Sequence, residues 1–189
     1  MVNDLKIRKE STALVVIDLQ KGIVRREARP YPAQVVVEKA SELVKAFRKH
    51  SIPIFFVHVD FTGGLPIQVE SDTVLPHSKP ANDWSEFVPE MGVTENDLVV
   101  TKRQWGAFYG TDLEQQLRRR KIDTIVLCGI ATNYGVQSTA RFAYEFGFNQ
   151  IFVEDATTDL SEEAHRVAFQ YMFKRMGRVR STKEVLEAL

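Results

Sequence analysis

Six short runs of apolar, β-branched and aromatic residues recur along the chain. The first, residues 12–17, is uncharged throughout, and its apolar side chains stand at odd and even positions alike. A strand that is apolar at successive positions is buried on both faces, as the strands of a parallel sheet are. The six predicted strands are residues 12–17, 53–59, 97–100, 124–128, 151–153 and, more weakly, 178–180.

Helical patterns separate most of these runs. Two capping boxes, Thr111 to Glu114 and Ser181 to Glu184, indicate helix starts. The predicted helices are residues 35–50, 111–120, 133–146, 161–174 and a C-terminal helix from 182. Alternating strands and helices predict the α/β class: a doubly wound, mainly parallel six-stranded sheet with helices on both faces, Rossmann-like, in a single domain over residues 1–189.

One connection, residues 61–96, has no strong periodic segment and is rich in glycine and proline. Loops of this length inside a compact domain are usually functional lids or oligomer arms, although an ordinary surface excursion is the alternative. A short helix is predicted around residues 84–88. We expect a homo-oligomer, a dimer or tetramer, with residues 63–89 and the C-terminal helices at or near interfaces; the aromatic side chains of Trp84 and Phe87 favour this interpretation.

The overall charge narrows the range of partners. Lys plus Arg and Asp plus Glu each number 25, so the formal net charge is zero, which favours neither nucleic acid nor an anionic membrane as partner. The single cysteine, Cys128, excludes an internal disulfide. The sequence contains no run of about 18 apolar residues, so no membrane-spanning segment is predicted. A cytoplasmic protein without a cofactor is expected.

Charged residues follow several of the predicted strands. In open α/β sheets, ligands bind at the carboxyl ends of the strands, so Asp18, Asp60, Lys102 and the pair Glu154-Asp155 are candidates. Asp18 comes directly after an apolar strand, where partial desolvation would raise its pKa and suit acid–base chemistry. Lys102 nearby would orient the carboxyl group. Helix capping or a structural hydrogen bond is the alternative for Asp18.

The segment from Gly129 to Val136 predicts a strand, a tight turn and a helix start. Free backbone N–H groups at such a turn can hold an oxyanion or a carboxylate. Cys128 lies inside the preceding apolar run and is interpreted as a buried structural residue. The four histidines lack metal-ligand spacing, so no metal site is predicted, with His58 and Asp60 as the one pair to consider.

Three of these segments together resemble the isochorismatase-like hydrolase family, which includes nicotinamidases and N-carbamoyl amidases. Residues 15–20 look like the family's aspartate motif, and Lys102 with residues 108–113 looks like its lysine motif. Residues 128–136, followed by residues 138–140, look like its nucleophile turn. The resemblance extends over nearly the whole chain.

The resemblance implies a small-molecule substrate and a set of site residues. Asp18 and Lys102 would be catalytic, and Gly135 occupies the position at which most of the family has its nucleophilic cysteine. True isochorismatases also resemble this pattern, with glycine at that place and the aspartate acting as acid. The Ile130–Ala131 bond is expected to be cis. The expected substrate contacts are Gln20, Phe108, Ile130, Ala131 and Tyr134, although Phe108, like Trp105 and Tyr109, could equally pack in the core.

Two departures from the family pattern narrow the substrate. Residues 61–65 have no match to the substrate-binding glutamine and arginine of isochorismatases, and Thr62 stands where nicotinamidases have a metal-binding histidine. The leading hypothesis is therefore a hydrolase that uses Asp18, Lys102 and direct attack by water. A non-catalytic ligand-binding or structural oligomer is the second hypothesis, and a hydrolase dependent on Cys128 is the third.

Overall fold

A computed structural model describes residues 5–62, 67, 69–72 and 81–189. Its sheet has six strands, all parallel, in the order β3-β2-β1-β4-β5-β6. The strands are β1 Thr12–Ile17, β2 Ile54–Val59, β3 Leu98–Lys102, β4 Thr124–Ile130, β5 Asn149–Thr158 and β6 Arg178–Arg180. The doubly wound parallel fold predicted from the sequence is confirmed.

Helices cover both faces of this sheet. The α-helices are α1 Lys21–Val24, α2 Ala33–Lys49, α3 Leu113–Arg119, α4 Gln137–Glu145, α5 Glu162–Val167, α6 Lys174–Met176 and α7 Thr182–Glu187. Two π-helical segments, Thr132–Val136 and Ala168–Phe173, precede α4 and α6, and a 3-10 turn spans Pro89–Met91. No helix in the described ranges is both long enough and apolar enough to span a membrane.

The side chains of β1 point alternately to the two faces of the sheet, so the strand contributes to a core on each face. Leu14 and Val16 pack with α2 and α7, whereas Val15 and Ile17 pack with α3 and α4. Every residue of this strand is buried. The central strand therefore contributes apolar surface to both layers, which is why its sequence is continuously hydrophobic rather than alternating.

Two local predictions were wrong. The capping box at Thr111 does not form, because the Thr111 hydroxyl accepts the N–H of Leu113 and not that of Glu114, and Asp112 occupies the N-cap position. No helix forms over residues 84–88; turns lead instead to the 3-10 turn that starts at Pro89. The second capping box, Ser181 with Glu184, is confirmed.

The fifth strand is much longer than predicted, since it runs from Asn149 to Thr158. Its pairing with β4 shifts between Phe152 and Thr157, so the strand continues beyond its apolar first half. The Glu154-Asp155 pair therefore lies within the strand and not at its carboxyl end. Asp155 instead accepts hydrogen bonds from the backbone and side chain of Thr182 at the start of α7.

Candidate active site

The strand order reverses direction between β1 and β4, and this switch point is where open α/β sheets form their ligand crevice. The two strands meet closely there. A side chain on Gly129 would place its Cβ atom 2.0 Å from the carbonyl oxygen of Ile17, and the backbone φ of +124° also favours glycine. Asp18 follows β1 and the 130–136 turn follows β4, so both emerge at this crevice.

Asp18 and Lys102 form a buried ion pair. The Lys102 Nζ atom lies 2.8 Å from Asp18 Oδ2, and the two side chains are 2% and 7% exposed. Lys102 is the last residue of β3, two strands away from β1, and its side chain reaches across the end of β2. The ammonium also donates to the carbonyl of Gln104 at 3.1 Å, which fixes its position relative to the following loop.

The environment of the pair makes Asp18 an unusual carboxyl group. Burial raises the pKa of Asp18 above its ordinary value, while the charge and hydrogen bond of Lys102 oppose that rise. Its second oxygen, Oδ1, is buried and has no hydrogen-bond partner among the described residues. The backbone φ of +53° is uncommon for a residue with a side chain, although aspartate and asparagine tolerate it. A buried carboxyl group with one oxygen unpartnered among the described residues, on a backbone of uncommon conformation, fits a reactive role better than a capping role.

Gly135 lies directly against this pair. A Cβ atom on Gly135 would stand 2.8 Å from Asp18 Oδ2, 2.8 Å from Ile17 Cγ2 and 3.6 Å from Lys102 Nζ. The first two distances are too short for carbon, so any side chain here would displace the carboxylate or the core. The structure therefore brings together the three residues that the sequence placed at the centre of the site.

The turn after β4 has the expected cis peptide between Ile130 and Ala131, but its backbone N–H groups are largely engaged. The N–H groups of Tyr134 and Val136 both donate to the carbonyl of Ala131, and that of Asn133 donates to the Asp159 carboxylate. These three groups are not free to hold an oxyanion. The expectation of free N–H groups is therefore wrong for these three, two of which donate within the turn and one of which donates to Asp159.

Gln20 is a structural residue, contrary to its predicted role as a substrate contact. Its side chain is fully buried and donates to the carbonyls of Val59 and Trp84, and it accepts the N–H of Val59. Both amide N–H groups are thus engaged with backbone oxygens. Gln20 joins the ends of β1 and β2 to the segment around Trp84.

Phe108 is also a core residue and not part of the site's wall. It is 5% exposed, and its ring packs against Phe146 and Phe148 at centroid distances of 5.4 and 5.9 Å. Tyr134 and Trp105, by contrast, are 38% and 59% exposed, and their rings meet edge to face at 5.0 Å. Of the aromatic candidates, Tyr134 therefore remains at the rim next to Gly135, with Trp105 beside it.

Cys128 is buried, as predicted, and its side chain packs in the core, not beside Asp18 and Lys102. It is fully buried in β4, where it packs in the core cluster that contains α2. Burial raises the pKa of its thiol to about 12. A thiol with that pKa is almost entirely protonated near neutral pH and is a poor nucleophile.

His58 and Asp60, the two residues considered as metal ligands, are engaged in other contacts. Both ring nitrogens of His58 have partners, the Ser85 carbonyl at 2.7 Å and the Thr101 hydroxyl at 2.8 Å. The Asp60 carboxylate accepts two hydrogen bonds from Thr62. Within the described ranges, no group of three or more histidine, cysteine, aspartate or glutamate side chains is arranged to hold a metal ion.

Two cavities lie away from the ion pair. The larger, about 520 Å³, is lined by Glu162 and residues between 24 and 34, and the smaller, about 190 Å³, by Tyr31, Glu154 and their neighbours. Neither is lined by Asp18 or Lys102. The buried charges and the switch point of the sheet both indicate the Asp18 region instead.

Sequence reasoning missed two buried polar residues behind the turn, Asp159 and His165. Asp159 is 1% exposed and accepts the N–H of Asn133 at 2.6 Å, and His165 is 2% exposed and lies 2.8 Å from the Thr132 hydroxyl. Asp159 directly follows β5, but the apolar pattern ended that strand too early to reveal it. His165 lies in a helix, where no spacing signal distinguished it.

An all-parallel, doubly wound sheet with a buried aspartate–lysine pair at its switch point defines the class of protein. The Isochorismatase domain family matches residues 12–184. The chain therefore belongs to the isochorismatase-like hydrolase family.

Individual relatives agree with this assignment. The chain is 51% identical over 190 residues to the uncharacterized isochorismatase family protein YwoC of Bacillus subtilis, with 99% of this chain and 98% of the relative covered. It is 46% identical to the uncharacterized isochorismatase family protein YecD of Escherichia coli O157:H7, with 98% and 100% covered. An isochorismatase family protein from Burkholderia thailandensis has the same fold, with a TM-score of 0.93, 44% identity and 97% of each chain covered.

Proposed function

We propose that this protein hydrolyses a small-molecule substrate without a cysteine nucleophile, by acid–base chemistry at Asp18 and direct attack of water. The observation that supports this most strongly is the buried Asp18–Lys102 pair, packed against a glycine in which a side chain would collide with the carboxylate. Family membership supplies the reaction class, and the geometry of Gly135 favours the route without a thiol.

Asp18 acts as the proton carrier in this proposal. Its protonated carboxyl group gives a proton to the leaving group as the bond to the substrate carbon breaks. The oxygen of a water molecule bonds to that carbon, and a proton from the water returns to the carboxylate, so the protonated carboxyl group of Asp18 is regenerated. The raised pKa of Asp18 increases the protonated fraction that the first step needs.

Lys102 orients Asp18 and balances its charge. Its ammonium is held between Asp18 Oδ2 and the Gln104 carbonyl, so the carboxylate that forms after proton donation is paired at once. Oδ1, which has no partner among the described residues, is the oxygen through which Asp18 would contact the substrate or water. Tyr134 and Ala131 remain the proposed substrate contacts, because Tyr134 lies in the same turn as Gly135 and Ala131 leads into it. Ile130 ends β4 and its side chain is buried in the core, so it would contact a substrate only through its backbone.

The experiment is a substrate panel of enol ethers, amides and ring-opened N-carbamoyl compounds, followed by the Asp18→Asn variant on each substrate that turns over. Asparagine keeps the size of the side chain and tolerates the positive φ. We expect activity to fall by roughly two to four orders of magnitude, the scale of lost acid–base catalysis. Near-normal turnover in a folded variant would remove Asp18 from the mechanism.

The same panel separates the proposal from a non-catalytic binding protein. A binding protein would bind one of these compounds, measured by calorimetry, without turnover even at high enzyme concentration. Turnover lost specifically in Asp18→Asn supports the hydrolase.

A further inference from the structure

His165 is a buried histidine that the proposed mechanism does not use. Its Nδ1 atom lies 2.8 Å from the hydroxyl of Thr132, the fully buried first residue of the π-helical turn. The Nε2 atom is buried and has no hydrogen-bond partner among the described residues. The rings of Tyr31 and Phe169 flank the imidazole at centroid distances of 5.9 and 4.5 Å. A phenylalanine would fill this apolar space without leaving a polar nitrogen unsatisfied, so packing alone does not account for histidine.

Asp159 holds the next residue of the same turn. Its Oδ2 atom accepts the N–H of Asn133, and its Oδ1 atom accepts those of Leu160 and Ser161. The backbone N–H and carbonyl of Asp159 are themselves paired with Arg29 in an isolated bridge, at 2.9 and 2.7 Å. The pairing with Arg29 fixes the backbone of Asp159, so its carboxylate is a well-positioned acceptor for the N–H of Asn133.

From these contacts we propose that His165 and Asp159 are positioning residues of the active site, which act by clamping Thr132 and Asn133 so that Gly135 stays against Asp18. The inference rests on the proposed function for its effect on turnover, but the placement of the turn can be measured independently. The backbone of Gly135 lies so close to the Asp18 carboxylate that a modest displacement of the turn would change how far that carboxylate is shielded from water. Displacements of about 1 Å remote from the reacting atoms can cost about a hundredfold in rate.

The first variant combines His165→Phe with Thr132→Val, which removes the hydrogen bond while leaving apolar side chains of similar size. We expect kcat to fall roughly ten- to a hundredfold with KM changed less than about threefold, because the lost interaction aligns the site and does not bind substrate. His165→Asn, which can still bond to the Thr132 hydroxyl, should recover part of the rate. Tyr31→Phe is the matched control, since it removes a nearby hydroxyl without a bond to the turn, and it should leave kcat unchanged.

A second readout does not depend on activity. Carbon-13 NMR of the Asp18 carboxyl group reports its pKa, which should move down toward its ordinary value in the double variant, since a displaced turn admits water. Asp159 accepts three backbone N–H groups, and Asp159→Asn would leave one of them without an acceptor. This variant should therefore also lower the pKa of Asp18. If the variants show this shift of the Asp18 pKa but the wild type hydrolyses nothing, the proposed function fails and the clamp stands. Folded variants with both kcat and the Asp18 pKa unchanged would overturn the clamp.

Discussion

At the residue scale, the buried Asp18–Lys102 pair stabilises the fold only while both partners are present. Removal of one partner leaves an uncompensated charge in the interior, which typically costs about 3–5 kcal/mol, whereas replacement of both by apolar groups is often neutral or stabilising. Neither side chain is more than 7% exposed, so little solvent is available to screen the remaining charge.

We therefore predict that Lys102→Met alone lowers the free energy of unfolding by about 3–5 kcal/mol. The double variant Asp18→Asn with Lys102→Met should recover part of that loss, because asparagine carries no charge and tolerates the positive φ, and yet be inactive. Urea denaturation of the two variants and the wild type measures this. Equal losses in the single and double variants would mean that the pair is not coupled as its 2.8 Å separation implies.

His165 gives a prediction for pH. Burial lowers its pKa from 6.5 to about 4, so the unfolded chain binds more protons than the folded chain between these two values. Stability contributed by the neutral imidazole is therefore complete above pH 6.5 and is lost as the pH falls toward 4.

The comparison that isolates this effect is His165→Phe against the wild type. We expect the free energy of unfolding of the wild type to fall more steeply between pH 6.5 and 4, because the variant has no imidazole to protonate. The raised pKa of Asp18 acts with the opposite sign, and because loss of the His165 bond is expected to lower it, the Asp18 pKa measured in each protein by carbon-13 NMR is used to correct the difference. Parallel curves from urea titrations across this range would contradict a buried neutral histidine.

At the scale of elements, Gln20 connects β1, β2 and the segment around Trp84. Gln20→Leu would leave the N–H of Val59 and the carbonyls of Val59 and Trp84 without this partner. An unsatisfied buried group costs about 1–3 kcal/mol, so a loss of at least that size is expected by denaturation. Gln115→Leu, at an exposed position of α3, is the matched control and should change stability by less than about 0.5 kcal/mol. Equal effects at both positions would refute the structural role of Gln20.

The sequence predicted those elements whose residues are mainly apolar and missed those whose residues are polar. The continuous hydrophobic run of β1 predicted a buried parallel strand, and Asp18 directly after it predicted the site. The polar second half of β5 gave no such signal, so its end at Thr158 and the adjacent Asp159 were missed. Gln20 and Phe108 were misassigned because a residue next to a site in sequence can direct its side chain into the scaffold; only their three-dimensional contacts reveal this.

At the scale of the whole molecule, we predict a homo-oligomer. Much of the segment 63–89 that was expected at an interface lies outside the described residues. Trp84 and Phe87, expected to be exposed, are half-buried and packed against Phe61 and Phe56 respectively. Large aromatic side chains are exposed elsewhere, at Trp105, Tyr109, Phe142, Tyr144 and Tyr171. Exposed aromatic side chains mark an interface when they form a contiguous patch. Light scattering at micromolar concentration tests it, and a strictly monomeric mass would refute it.

In the proposed mechanism, hydrolysis proceeds without a thiol. Cys128 is the only cysteine of the chain, its thiol is fully buried with a pKa of about 12, and Gly135 offers no side chain to attack a substrate. The most direct test is the turnover of Cys128→Ala on a substrate found with the panel. We predict kcat/KM within about twofold of the wild type, with a modest loss of stability from the small cavity. Abolished turnover in a well-folded Cys128→Ala protein would contradict the account and indicate a cysteine mechanism.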